Sequence, residues 1–146
     1  MESPPVKSML QFMSSNPIVE GVPKIRYLSW IEDMSFAKPE VDRKTNLFVV
    51  FADVEFETGK RDDTLKYWRN NLESSREEAG CFSYGFAQDP EKPDHLYTLE
   101  VYESESYFTD IHFQTAAVQD TIEKTKGERK GLTLSKLQYH AGFFSR

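Results

Sequence analysis

Residues 47–56 read Leu47-Phe48-Val49-Val50-Phe51-Ala52-Asp53-Val54-Glu55-Phe56, a β-branched and aromatic run that spells a strand. Its first six residues are apolar without interruption, so the strand asks for burial on both faces. Helices laid on one side of a sheet satisfy one face only. The other face needs a further layer, most simply a second copy of the chain in two-fold symmetry, giving a homodimer. The segment N-terminal to residue 46 could cover that face instead.

Working outward, Thr58-Gly59-Lys60 is a turn, and residues 61–78 form a helix in which Leu65, Trp68 and Leu72 recur at three- and four-residue spacing. Ala79-Gly80 stops that helix, with Gly80 in the C-terminal capping position. Residues 81–88 and 95–102 are strands separated by the turn Asp89-Pro90-Glu91-Lys92-Pro93-Asp94. Ser104 caps a helix through Phe108 and Ile111 that breaks and resumes through Val118 and Ile122. Residues 126–131 are a loop and 132–144 the last strand. The order β-α-β-β-α-β predicts a ferredoxin-like α+β fold over residues 46–146. Residues 1–45 hold five of the seven prolines, yet Met9 to Met13 and Ile25 to Ile31 are too apolar for a solvated tail. They read as an N-terminal extension packing on the domain, as a short helix or an added strand, or docking on a partner subunit.

A length of 146 residues suits one domain with a proper core, and 11 Phe, 7 Tyr and 2 Trp give that core its bulk. Eighteen basic against twenty-four acidic residues leave a net charge of −6, which argues against nucleic acid or an anionic membrane as partner. Cys81 is the single cysteine, so neither an intrachain disulfide nor a cysteine zinc site can form. MESPPVKSMLQFMSSNP lacks the basic flank and apolar core of a secretory signal, and no apolar run has membrane-spanning length. The expectation is a cytoplasmic protein.

Gly59-Lys60, then Glu77-Glu78-Ala79-Gly80-Cys81-Phe82-Ser83-Tyr84, then Tyr97-Thr98-Leu99-Glu100-Val101-Tyr102-Glu103-Ser104 resemble the GK turn, E-x-G-C-x-x-Y segment and E-x-W-x-S segment of antibiotic biosynthesis monooxygenase (ABM) domains. His112-Phe113-Gln114-Thr115 resembles the H-L-x-[ST] stretch of their following helix, with one extra residue before the His. The resemblance covers residues 46–140 and implies a dimeric α+β barrel with a pocket between sheet and helices. It further implies oxygenation of a small aromatic or polycyclic metabolite, of phenol, quinol or anthrone type, by O₂ with no metal, flavin or haem. Such chemistry needs a base, a dry aromatic pocket and donors for a developing oxyanion. No G-x-G-x-x-G, Walker loop or metal-spaced His pair appears, and no cofactor is expected. A cyclase or isomerase using the same pocket without O₂, and a non-catalytic dimeric binding or stress-response domain, are the alternatives. Departures from the family pattern are Thr98 and Tyr102 where aromatic-polyketide oxygenases carry Asn and Trp, and Ala117 where many members carry a second His. Ala52 and Ile111 occupy the places of the haem-degrading branch's Asn and Trp, which sets haem degradation aside.

His112 is the first candidate base, since a neutral imidazole is suited to proton transfer near neutral pH. Glu100 shares a strand face with Thr98 and Tyr102 by alternation, and a carboxylate there must be paired or raised in pKa. Thr98, Tyr102, Trp68, Tyr84, Phe86 and His140 are the candidate substrate-binding residues. Trp68 also fits the core stripe of its helix, and Tyr84 and Phe86 fit a strand core. Opposite them Ser83, Gly85 and Ala87 leave room for a ligand or for close packing. Asn70 and Asn71 read as the solvated side of their helix, His95 as exposed, and Cys81 as a small buried hydrophobe.

Overall fold

In the computed structural model, which describes residues 4–16 and 26–139, helix α1 (Pro4–Ser15) precedes strand β1 (Ser29–Ala37). Then follow β2 (Phe48–Phe56), α2 (Arg61–Glu77), β3 (Cys81–Asp89), β4 (Lys92–Tyr102), α3 (Glu105–Asp110), α4 (Ala116–Thr125) and β5 (Arg129–Gln138). Short 3-10 turns lie at Pro39–Arg43 and His112–Gln114. Prolines do not prevent α1, because Pro4 and Pro5 occupy its first turn, where a missing N–H leaves no helical bond unmade.

All strand pairs are antiparallel and the sheet order is β1-β3-β4-β2-β5. The last four strands in that order make the ferredoxin-like α+β arrangement expected from the sequence. The N-terminal extension adds β1 at the edge, beside β3. Strand β5 begins at Arg129, inside the stretch read as a loop, because pairing with β2 continues to Phe56 opposite Arg129. Strand β4 likewise begins at Lys92, within the expected turn.

The strand run at 47–56 is buried on two sides, as its composition demands. Phe48, Val50 and Phe56 pack against Trp68 and Leu72 of α2 and Phe108 of α3. Val49 on the reverse joins Leu47, Phe82, Val101 and Val41, the last supplied by the 3-10 turn after β1. The extension therefore covers part of the second face from within the same chain. Trp30 of β1 closes on Gly85, where an added Cβ would stand 2.7 Å from the indole ring. At Gly85 the small-residue face thus serves close packing, since no side chain other than hydrogen fits under that ring. Among the described residues, no helix is long and apolar enough to cross a membrane.

Candidate active site

Between the helical layer and the sheet lies a cleft of about 750 Å³, counting its open mouth. Ala52 and Val54 of β2 and Thr98 and Glu100 of β4 form its floor, and α2 contributes Trp68 and Asn71. These positions follow from alternation in the strands and from the inward stripe of α2, which buries Thr64, Trp68, Asn71, Leu72 and Ser75.

His112 enters this cleft because the helix breaks. Helix α3 ends at Asp110, Ile111 turns outward, and the 3-10 turn swings His112 inward, where it is 2% exposed. Thr115 restarts the helix as N-cap of α4, its hydroxyl accepting from the Val118 N–H. The imidazole lies among Tyr84, Tyr102 and Phe108, with ring centroids 4.9–6.0 Å away. Its Nδ1 lies 3.0 Å from Oε1 of Glu78, whose side chain is 9% exposed at the end of α2. A carboxylate only accepts, so Nδ1 donates and the neutral ring leaves Nε2 with its lone pair. No protein group among the described residues hydrogen-bonds Nε2.

Glu100 is buried and fully engaged. Thr98 Oγ1 donates to its Oε1 at 2.6 Å, and the Tyr102 hydroxyl donates to its Oε2 at 2.7 Å. Burial, followed by the Glu100 charge, pushes the Tyr84 and Tyr102 phenols well above the ordinary tyrosine range. Both therefore stay protonated as donors. Asn71 Nδ2 donates to the Tyr84 oxygen at 3.3 Å, extending the network to α2.

Residues 47–124, more than half of the chain, match the sequence profile of the family described as antibiotic biosynthesis monooxygenase. The chain belongs to that family. An uncharacterised Synechocystis sp. protein is 29% identical over 77 residues, which are 53% of this chain and 52% of that one, so the chain spans about half the length of this relative. Solved structures share the fold. A Fusobacterium nucleatum protein named as a monooxygenase superposes over 93% of this chain and 60% of its own, at TM-score 0.70 and 16% identity. A Bacteroides thetaiotaomicron protein named for the ABM family covers 69% of this chain and 96% of its own, with TM-score 0.62 and 20% identity. A Lactobacillus acidophilus protein named as a monooxygenase has TM-score 0.62 and 19% identity, covering 72% of this chain and 48% of its own. Family membership supports a monooxygenase-like function.

Of the candidates read from sequence, His112, Glu100, Thr98, Trp68 and Tyr84 line the cleft of this ABM domain. Phe86 and Tyr102 lie behind that surface in the core, Tyr102 acting through Glu100. His140 is outside the described residues. Asn71 is buried in the cleft wall, not solvated, because it stands three residues from Trp68 on the same stripe. His95 is not exposed either: its Nδ1 lies 2.6 Å from Asp53 Oδ1, which the β2–β4 register brings onto the same face. Two residues were missed: Arg129 of the cleft wall, and Glu78, which does not line the cleft but pairs with His112. Glu78 stood in the E-x-G-C segment without a role, and the pairing with a His 34 positions later had no local signal. Arg129 lay in a stretch read as loop.

Proposed function

We propose that this domain is a cofactor-independent monooxygenase that oxidises a small aromatic or polycyclic phenol, quinol or anthrone with O₂. One observation carries the reading: an imidazole at an apolar cleft, its Nδ1 held by a buried carboxylate and its Nε2 unoccupied. An open cleft favours ligand chemistry over a binding domain whose pocket has filled in.

His112 Nε2 removes a proton from the phenol, enol or activated C–H, and Glu78 holds the ring in the productive tautomer and stabilises the imidazolium. The substrate anion gives one electron to O₂, and recombination with the superoxide forms a C–O bond to a hydroperoxide. Returning the proton to the distal oxygen while the carbon loses its remaining hydrogen releases water and leaves a carbonyl. The net change is CH₂ plus O₂ to C=O plus H₂O, so O₂ is the sole oxidant and no reductant is consumed. Thr98, Tyr84 and Tyr102 surround Glu100 as a fixed polar floor, and the aromatic rings around His112 keep water away from the anion.

We further propose that the domain works as a homodimer through the face opposite the cleft. Trp30 on β1 and Leu137 on β5 stand at the two edges of the sheet on that face and are 57% and 49% exposed. Oxygen-electrode measurements on the purified protein with a panel of anthrones, naphthols and quinols test the oxygenase reading. Uptake of one O₂ per carbonyl formed is expected. Substrate rearrangement without O₂ uptake would point to an isomerase or cyclase using the same base.

A further inference from the structure

Three buried polar side-chain atoms among the described residues lack a hydrogen-bond partner: Trp68 Nε1, Asn71 Oδ1 and Arg129 Nε. All three belong to residues that line the one cleft. Trp68 is 8% and Asn71 2% exposed, so neither can turn to bulk water without moving its helix. Native proteins rarely leave such atoms unpaired, and a cluster of them in one wall marks recognition capacity waiting for a ligand.

Arg129 decides the ligand's charge. Its Nη2 donates to the Ile122 carbonyl at 3.0 Å, which anchors the guanidinium against α4. No carboxylate among the described residues forms a salt bridge with it, although the chain carries 24 acidic residues. Burial without a neighbouring anion draws its pKa below the ordinary guanidinium range, the mark of a cation whose charge is uncompensated. Leu132 and Leu134 beside it on β5 are apolar. A planar fork with free donors in such a setting matches a carboxylate.

One cleft holds both Arg129 and His112. Arg129 is paired with Phe56 at one end of β2, whereas the Tyr102 ring against His112 belongs to the residue paired with Phe48 at the other end. The cation and the base therefore lie toward different ends of the same cleft and face one bound ligand.

We propose that the cleft selects an aromatic substrate bearing a carboxylate, seated on Arg129, with its oxidisable phenol or enol directed at His112. Trp68 Nε1 and Asn71 Oδ1 would meet polar substituents along its edge. The orientation rests on His112 being the base; the anion site does not. Isothermal titration of the full chain with a hydroxynaphthoate and with the naphthol lacking its carboxylate, at low and high salt, tests it. Wild-type protein should bind the hydroxynaphthoate about tenfold more tightly or better, and salt should reduce the gap. Arg129→Gln should abolish the preference and Arg129→Lys keep part of it, each variant checked for an unchanged melting curve. Equal affinities in the wild type, no binding of either probe, or a preference that survives Arg129→Gln would overturn the proposal. A preference without O₂ uptake would remove the oxygenase reading and leave the anion site standing; O₂ uptake with no preference would do the reverse.

Discussion

Glu78 and Glu100 are both withdrawn from water, and each has its charge met differently. Glu78 faces an imidazole N–H, while Glu100 accepts from two hydroxyl groups on its own strand. Only the first arrangement leaves a mobile proton beside the cleft. His112→Ala should lower kcat by about 10²–10⁴-fold and leave KM little changed, measured by steady-state O₂ uptake. Glu78→Gln should also lower kcat at constant KM, since an amide can present its NH₂ to Nδ1 and lose the tautomer, and Glu78→Asp should recover part of the loss. A dead Glu100→Gln beside an active His112→Ala would reverse the roles assigned. The phenols make a separate prediction. Tyr84 and Tyr102 hold their protons above the ordinary range through burial first and the Glu100 charge second, and burial likewise pushes the Cys81 thiol up. Raised folded-state values mean that the stability linked to these groups is intact below their unfolded-state pKa values. It falls as pH rises, from about pH 8.5 for the thiol and about pH 10 for the phenols. Urea titrations between neutral and strongly alkaline pH should show each phenol adding about 1.4 kcal/mol of loss per pH unit. Tyr84→Phe should flatten that slope by one group's share.

Among the elements, the connection from α2 to β3 carries the most constraint. Gly80 reads from the sequence as the C-terminal cap of the helix, yet α2 ends at Glu77 and its cap is Glu78, in an extended conformation. Gly80 is small because Tyr107 of α3 lies across it: an added Cβ would stand 2.4 Å from the ring. That contact locks α3 against the segment bearing Glu78 and Cys81, and so fixes the distance between Glu78 and His112. Gly80→Ala should destabilise the fold by about 1–3 kcal/mol in urea unfolding, the range for overpacking. Combined with Tyr107→Ala, the two costs should be less than additive, because the clash needs both side chains. The same reasoning explains the α3–α4 break. A continuous helix would carry His112 past the cleft, and Thr115 makes the restart possible by capping α4.

For the whole molecule, the question is what lies on the second face of the sheet. The chain covers part of it with Val41 and Trp30, and apolar side chains remain exposed at both edges. Light scattering at micromolar concentration should give a dimer. Leu137→Asp should shift it to monomer with little change in the protomer's own melting, since Leu137 is 49% exposed in the free chain. A dimer that persists unchanged would place the interface elsewhere.

The element order from residue 47 onward was legible because strand and helix periodicities are local properties of ten to twenty residues, and Leu47 to Ala52 already demanded two buried faces. His112, Glu100 and Thr98 were legible as polar groups in apolar contexts, and Trp68 and Tyr84 as large rings on inward stripes. Other features depended on distance in space rather than in sequence. Glu78 meets His112 across 34 residues, and Arg129 reaches the cleft only because β5 pairs with β2 to its very end. Asn71 was misread as solvated because polarity outweighed its helical phase, although the phase was already set by Trp68. Local pattern thus determined the fold and singled out His112 as the candidate base. Tertiary packing alone decided what holds that imidazole in place, because a hydrogen-bond partner is selected by three-dimensional approach and leaves no period in the chain.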